Sequence, residues 1–256
     1  MVIDPTRPAS SQVFGLLRAA IVQLDLKPGQ ALSENELAKA FSVSRQPVRE
    51  AFIRLREAAL VEIFPQRGTF VARISVERVM TARFVREAVE VALASEAAEK
   101  VADVDLDILA GLIVEQRKVA KADDAVRFLD LDEAFHRAIA DIAEQPYAWT
   151  ILEDIKAQMD RVRYLSFSGA TPLDRLVDQH ELIVECLRAR DPDRASAAMR
   201  GHLREILKSL PVIASEHREF FRPADDAARS ERLLDQARPN WLRDWSDNKT
   251  TGRKSR

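Results

Sequence analysis

Apolar positions recur at helical spacing almost from the start of the chain. Val13, Leu16, Leu17, Ala20, Ile21 and Leu24 fall three or four residues apart, which predicts a first helix over residues 10–25. Lys27-Pro28-Gly29 ends it. Ser33-Glu34-Asn35-Glu36 has the pattern of a capping box, in which serine and glutamate satisfy each other's backbone N–H groups at a helix start. Leu37, Ala38 and Phe41 are the inward positions of that second helix. After a tight turn at Ser42-Val43, Ser44 caps a third helix that buries Val48, Ala51, Phe52 and Leu55. Pro47 sits in its first turn, where a missing N–H does no harm. Residues 60–64 and 69–72, joined by Pro65-Gln66-Arg67-Gly68, read as a small hairpin. Two short helices at a tight turn, followed by a hairpin, describe a winged helix-turn-helix.

From Ser75 onward the pattern is helical throughout. Helices are predicted near 76–101, 105–121, 124–143, 147–167, 173–190 and 192–216, with short breaks such as Gln145-Pro146 and Asp191-Pro192 between them. Short turns between long helices make neighbours antiparallel. The predicted fold is mainly α. A winged helix-turn-helix of three helices and a small β-hairpin (1–74) precedes an antiparallel six-helix bundle (75–217). A polar C-terminal tail follows (218–256), with an exposed helix over 224–237 and disorder over 248–256.

Composition narrows the class. Apolar residues reach 46% of the 256, enough for a sizeable core, while 31% charge keeps the surface soluble. Cys186 is the sole cysteine, which excludes an intrachain disulfide and a cysteine-based zinc site and fits a reducing cytoplasm. No stretch approaches the roughly 18 apolar residues of a membrane span, and residues 1–11 lack the features of a signal peptide. A cytoplasmic protein without a membrane partner is expected. The net charge of -2 is unevenly spread. Residues 1–74 hold ten Lys and Arg against seven Asp and Glu, whereas the body is acidic. A basic head on an acidic body suits a protein that touches phosphate at one end only.

The head carries groups suited to reading DNA. In a helix-turn-helix the first turn of the second helix faces base edges in the major groove. Arg45 and Arg49 are one helical turn apart there and project together, each able to pair bidentately with guanine. Ser44 and the helix N-terminus can hold a phosphate, and Gln46 can read a neighbouring base. Arg67 and Gly68 at the hairpin tip can reach phosphate or the minor groove. The bland alternative makes the two arginines solvated residues paired with Glu50 or Glu57.

Residues 12–74 resemble the winged head of GntR-family regulators. The likeness rests above all on Leu32-Ser33-Glu34-Asn35-Glu36-Leu37-Ala38, on Val43-Ser44-Arg45-Gln46-Pro47-Val48-Arg49-Glu50-Ala51 and on Arg67-Gly68-Thr69-Phe70-Val71. The helical remainder, to about residue 217, is similar to the FCD effector-binding domain of the FadR subfamily. The resemblance implies DNA contacts from Arg45, Arg49 and Gly68 with Ser44 in support. It also implies a homodimer and an operator of two-fold symmetry. Three positions depart from the family pattern: Asn35 stands where many relatives carry a DNA-contacting arginine, and Asp25 and Ala59 stand where glycine is usual.

Three of the four histidines sit in telling places. Phe128, Leu131, Phe135, Ile139 and Ile142 form an apolar stripe, and Asp132 and His136, at i and i+4, share one flank of it. His180 falls within the stripe of Leu176, Ile183, Val184 and Leu187, and His202 borders Met199, Leu203, Ile206 and Leu210. Each alone is more often a satisfied core histidine. Together, three imidazoles and a carboxylate are costly to bury without a shared partner, and they suit zinc, nickel or another divalent transition metal. The FCD pattern matches them residue by residue, with an Asp-x-x-x-His pair on one helix and a histidine on each of two later ones.

Arg86 matches the family's inward arginine on the first body helix, which implies a small organic acid bridging metal and guanidinium. An Arg86–Glu90 helix pair is the alternative. Arg161 and Arg163 are further chamber candidates. His217 is expected on the surface, and Glu144-Gln145 replaces a Gly-Asn frequent in relatives. The leading expectation is a ligand-responsive repressor. A metalloregulator, in which the metal itself is the signal, is the second. A hydrolytic metalloenzyme is disfavoured, because helical geometry turns Asp130 and Glu133 away from His136 and no phosphate loop or nucleophile elbow occurs.

Overall fold

The computed structural model describes residues 3–166 and 172–222. The expected tail helix over 224–237 and the disorder over 248–256 lie outside the described residues.

The head opens with α1 (Ala9–Val22), followed by α2 (Glu34–Phe41) and α3 (Arg45–Glu57). Gly29, at φ 83°, makes the turn after α1 and donates its N–H to Val71 O at 2.8 Å. Ser33 accepts from Glu36 N at 3.3 Å, which supplies one half of the expected capping box. Ser42, left-handed at φ 56°, turns α2 into α3. Ser44 stands at the N-cap of α3 with its side chain making no capping bond. That differs from the expected cap and leaves the hydroxyl facing outward with the helix N-terminus.

The wing is β2 (Val61–Phe64) and β3 (Gly68–Val71), and the two-residue β1 (Ala31–Leu32) pairs antiparallel with β3 on its other side. A strand of two residues carries no periodicity, so the third strand could not be read from the pattern. Val13, Leu17, Ile21, Val48, Phe52, Leu55 and Leu60 form the head's core.

The body begins with α4 (Val76–Lys100), the longest helix described, then α5 (Asp103–Lys121), α6 (Ala125–Ile142), α7 (Pro146–Ile155) and α8 (Ala157–Ser166). It closes with α9 (Leu173–Arg188), α10 (Pro192–Leu203) and α11 (Ile206–Glu216). Mainly helical architecture with a winged head is as expected, but two of the six predicted body helices are each split. The segment 147–167 breaks at Lys156, because α7 packs Trp149 and Leu152 into the bundle core while α8 turns Ala157 and Tyr164 toward the head. The segment 192–216 breaks at Arg204-Glu205, where Leu207 and Lys208 make i→i+3 bonds to Arg204 and Glu205. Pro211 lies inside α11, removing one N–H and crowding the preceding turn.

Beyond α11 the chain returns to the junction of head and body. A short 3₁₀ turn (Arg218–Phe220) brings Phe221 in beside Ile74, with Ile74 N donating to Phe220 O at 2.8 Å and Arg222 N to Ile74 O at 2.9 Å. Phe221 is buried there, so residues 218–222 are part of the folded body rather than of a polar tail. His217 is half-buried and stacks on Phe220.

Candidate functional site

The bundle gathers Asp132, His136, His180 and His202 at one buried point. One ligand-type atom from each lies within 4.8 Å of all the others. α6 supplies Asp132 and His136 on successive turns, α9 supplies His180 and α10 supplies His202. Nε2 of His202 is 3.1 Å from Nε2 of His136 and 3.2 Å from Nε2 of His180. Asp132 Oδ1 lies 3.6 Å from His180 Nε2, and Oδ2 lies 3.9 Å from His136 Nε2.

The outer partners determine where the protons are. His180 Nδ1 meets Oε1 of Gln116 at 2.7 Å, and that amide is oriented by its own donation to Leu131 O at 3.1 Å. His202 Nδ1 meets Oε1 of Gln179 at 3.0 Å, oriented in turn by donation to Glu205 at 2.9 Å. His136 Nδ1 lies 2.6 Å from Oε2 of Glu90, a group that can only accept. His180 and His202 therefore carry their protons on Nδ1 and turn Nε2 lone pairs toward the same centre, and a proton on His136 Nδ1, the atom facing the Glu90 carboxylate, would leave its Nε2 to do the same.

The His202 lone pair faces those of His136 and His180 at about 3 Å, and such lone pairs repel unless a cation lies among them. Two nitrogens about 2.1 Å from one ion sit roughly 3.0 Å apart at a right angle and roughly 3.4 Å apart at the tetrahedral angle. The observed 3.1 and 3.2 Å fall between these limits. The Asp132 carboxylate is buried with no contact of hydrogen-bond geometry; Oδ1 has the Arg163 guanidinium beside it, and Oδ2 faces the histidines, as a cation ligand requires. The donor set therefore fits a divalent transition metal.

The electrostatics agree. Burial pushes His180 down to about 3 and holds His202 well below its ordinary value, so both stay neutral. Burial alone would raise the Asp132 carboxyl, but the Arg163 guanidinium beside it outweighs burial and holds the group well below the usual carboxylate range. Glu90 follows the same logic: burial raises it, while Arg86 and His136 bring it down to about 2.

Arg86, on α4, is buried and donates from Nε and Nη2, one edge of its guanidinium, to the two carboxylate oxygens of Glu90. It also lines an open cavity of about 430 Å³ beside His202, with Arg163, Ser166 and Ser209 as polar neighbours and Met159, Leu176, Leu203 and Ile206 as apolar walls. The helix pair and the inward placement thus hold together. Arg163, on α8, reaches Asp132 Oδ1 at 2.6 Å and belongs to the chamber. Arg161 does not: its guanidinium donates to the head, at Ala72 O.

In the head, Arg45 and Arg49 project together from the exposed start of α3 as expected. Their partner is neither Glu50 nor Glu57 but Glu34, at the start of α2, 3.4 Å from Arg45 and 3.1 Å from Arg49. Gln46 donates to Glu50 at 3.0 Å. At the wing tip Gly68 has φ 100°, and Arg67 lies over the Phe64 ring at 5.4 Å.

The sequence reading missed Glu34 as the partner of the two arginines, Gln116 and Gln179, and it placed Glu90 beside Arg86 without its contact to His136. Gln116 had a signal, since it continues the buried spacing of Leu109 and Ile113 with a polar group. Glu90 had one as well, lying one turn beyond Arg86 on an inward face.

A winged helix-turn-helix joined to a helical body is the architecture of a DNA-binding transcription regulator. The chain belongs to the GntR family of bacterial regulatory proteins. The family's model, described as "Bacterial regulatory proteins, gntR family", matches residues 9–71, and that of the FCD domain matches residues 82–205. The chain is 40% identical over 219 residues to the HTH-type transcriptional repressor RspR of Escherichia coli K12, covering 86% of this chain and 96% of that one. It is 38% identical over 217 residues to an HTH-type transcriptional regulator of Streptomyces ambofaciens, covering 84% and 90%. Among solved structures it resembles E. coli McbR/YncC with a TM-score of 0.70 at 19% identity, over 82% of this chain and 98% of that one. The family consists of regulators, not enzymes. No helix among the described residues is long and apolar enough to cross a membrane.

Proposed function

We propose that the protein is a cytoplasmic repressor that binds a two-fold symmetric operator as a homodimer and is controlled through its FCD domain. Ser44, Arg45, Gln46, Arg49, Arg67 and Gly68 are the DNA-contacting residues in this reading. Asp132, His136, His180 and His202 hold zinc or nickel, and a small organic acid is the effector, taken up in the cavity lined by Arg86 and Arg163. The observation that carries the reading is the convergence of three Nε2 atoms and the buried Asp132 carboxylate on one point. A bound divalent ion would act there as a Lewis acid for an effector carboxylate. Arg86 and Arg163 supply the complementary charge, and the apolar walls favour an acid with a short aliphatic portion.

The mild positive charge of the head and the name of the E. coli relative support repression by operator binding. For control to follow, the effector must bind the free and DNA-bound conformations with different affinity. One observation favours the second reading, in which the metal alone is the signal: both chamber arginines are already engaged, Arg86 by Glu90 and Arg163 by Asp132.

A thermal-shift screen against organic acids, with and without chelator, separates the two. A ligand at about 100 times its dissociation constant adds roughly 2.7 kcal/mol to the folded state. Under the effector reading an acid raises Tm in metal-loaded protein, and the rise vanishes on chelation. A large fall on chelation with no response to any acid supports the metalloregulator instead.

A further inference from the structure

α8 touches both the chamber and the head, through different side chains of the same short helix. Arg163 is its chamber end, on the carboxylate of Asp132. Two residues earlier on the chain, the fully buried Arg161 donates to Ala72 O at 2.7 Å and to Gln158 Oε1 at 3.3 Å. Gln158 in turn donates to Ala59 O at 2.7 Å. Ala59 precedes β2 and Ala72 follows β3, so these two bonds grip the two ends of the wing hairpin. Ala157 is buried in the head's core and Tyr164 packs against it. α8 thus joins an outer partner of the histidine cluster to backbone atoms at both ends of the wing, beside the covalent link that α4 makes from Glu90 to the head.

We propose that Gln158 and Arg161 are positioning residues that transmit the state of the chamber to the wing through α8. The inference rests on the assignment of a divalent metal to Asp132, His136, His180 and His202. The physical cause is a change of sign. Arg163 is attracted to a bare Asp132 carboxylate, but a divalent ion ligated by that carboxylate opposes the neighbouring guanidinium. A stiff helix of ten residues, about 15 Å long, carries a displacement at Arg163 to Arg161 and Gln158.

The joint has room for a second arrangement. Nε of Arg161 and Oδ1 of Asp160 are buried without a hydrogen-bond partner among the described residues. Reorganising α8 thus does not begin from a fully satisfied network. α8 is also separate from α7 at Lys156, so it can shift without dragging Trp149 out of the bundle core.

Hydrogen exchange of the full-length protein, read by mass spectrometry with and without zinc alone, tests the proposal. Zinc is expected to slow exchange in α6, α9 and α10 and, through α8, to change exchange over residues 58–73 by roughly five- to tenfold, within the usual range of coupling between sites. In Gln158→Leu the effect on α6, α9 and α10 persists while the response over 58–73 is lost; Gln158→Glu, which keeps the acceptor for Arg161 but removes the donor to Ala59 O, loses it likewise. Protection of α6, α9 and α10 with no response over 58–73 in the unmodified chain overturns the relay and leaves the metal site standing. So does a response that survives intact in both variants. No protection anywhere overturns the metal assignment and the relay with it. Should both variants misfold, an absent response over 58–73 in the unmodified chain still overturns the relay.

Discussion

His180 is held neutral by burial, and that has a consequence for stability with a definite sign. Its value in the fold is about 3 against an ordinary 6.5, and His202 is shifted in the same direction. Between those limits the unfolded chain takes up a proton that the folded one refuses. Stability therefore falls as pH drops below about 6.5, by about 1.4 kcal/mol per pH unit for each such group. Asp132 and Glu90 are depressed, so their contribution persists through this window and begins to be lost only below about pH 4. Urea unfolding in the presence of chelator is expected to give a protein less stable at pH 5.5 than at pH 7, by at least about 1 kcal/mol. Equal stability at the two pH values would contradict a buried neutral cluster. Replacing His180 with Ala is expected to strip the metal, and one equivalent of zinc retained by the variant would remove His180 from the ligand set.

The same scale applies in the head, where Glu34 holds Arg45 and Arg49 before any DNA arrives. Its carboxyl lies below the ordinary range, chiefly through the hydrogen bond from Arg49. A phosphate or a guanine must displace it. Arg49→Ala is expected to abolish specific binding to a duplex selected from a random pool, with Tm unchanged because the side chain is largely exposed. Glu34→Gln is expected to tighten binding to unrelated duplexes, since it removes a negative charge facing the phosphates. Gel-shift titrations at fixed salt read both effects.

At the scale of elements, what the sequence made legible was what repeats. α3 to α6 and α9 follow from apolar spacing over more than three turns, and the Asp-x-x-x-His pair could be placed on one flank because the same pattern set the helix there. The breaks were harder. Pro211 did not mark the break in 192–216, since α11 runs through it and the interruption lies earlier at Arg204-Glu205, and the break at Lys156 depends on which neighbours the two halves meet and has no local signal. The outer shell of the histidines was illegible for the same reason: Gln116 meets His180 across sixty-four positions of chain.

Turn chemistry was half legible. Ala59 was recognised as standing in for glycine, and it does adopt φ 55°; at the other such turn the left-handed residue is Leu24 (φ 64°), not the neighbouring Asp25. Glu144, where relatives often carry glycine, is left-handed at φ 61° and is held by Lys100 at 3.0 Å. An L-residue in this region costs roughly 1–2 kcal/mol, partly offset by the entropy that glycine adds to the unfolded chain. Ala59→Gly is therefore expected to stabilise the protein by about 0.5–1 kcal/mol in urea unfolding. The Ala59 carbonyl that accepts from Gln158 is kept.

The molecule as a whole presents one reading helix and one wing, and that sets a requirement on its assembly. Arg45 and Arg49 cover about one half-site, since a recognition helix meets only a few base pairs. A single copy gathers too few base contacts, at roughly 1–3 kcal/mol each, to choose one site in a genome. Two copies related by a two-fold axis double the contacts and place the second helix in the next major groove, roughly 34 Å along the duplex. The acidic body then serves a second purpose. Carrying nineteen Lys and Arg against twenty-seven Asp and Glu over residues 75–217, it is repelled by phosphate, so only the heads approach the duplex. Light scattering is expected to give a dimer of the 28.9 kDa chain in free solution, and the selected duplex to carry an inverted repeat. A monomer that bound one unrepeated half-site with nanomolar affinity would show that specificity arises within a single head, and the symmetric operator would have to be abandoned.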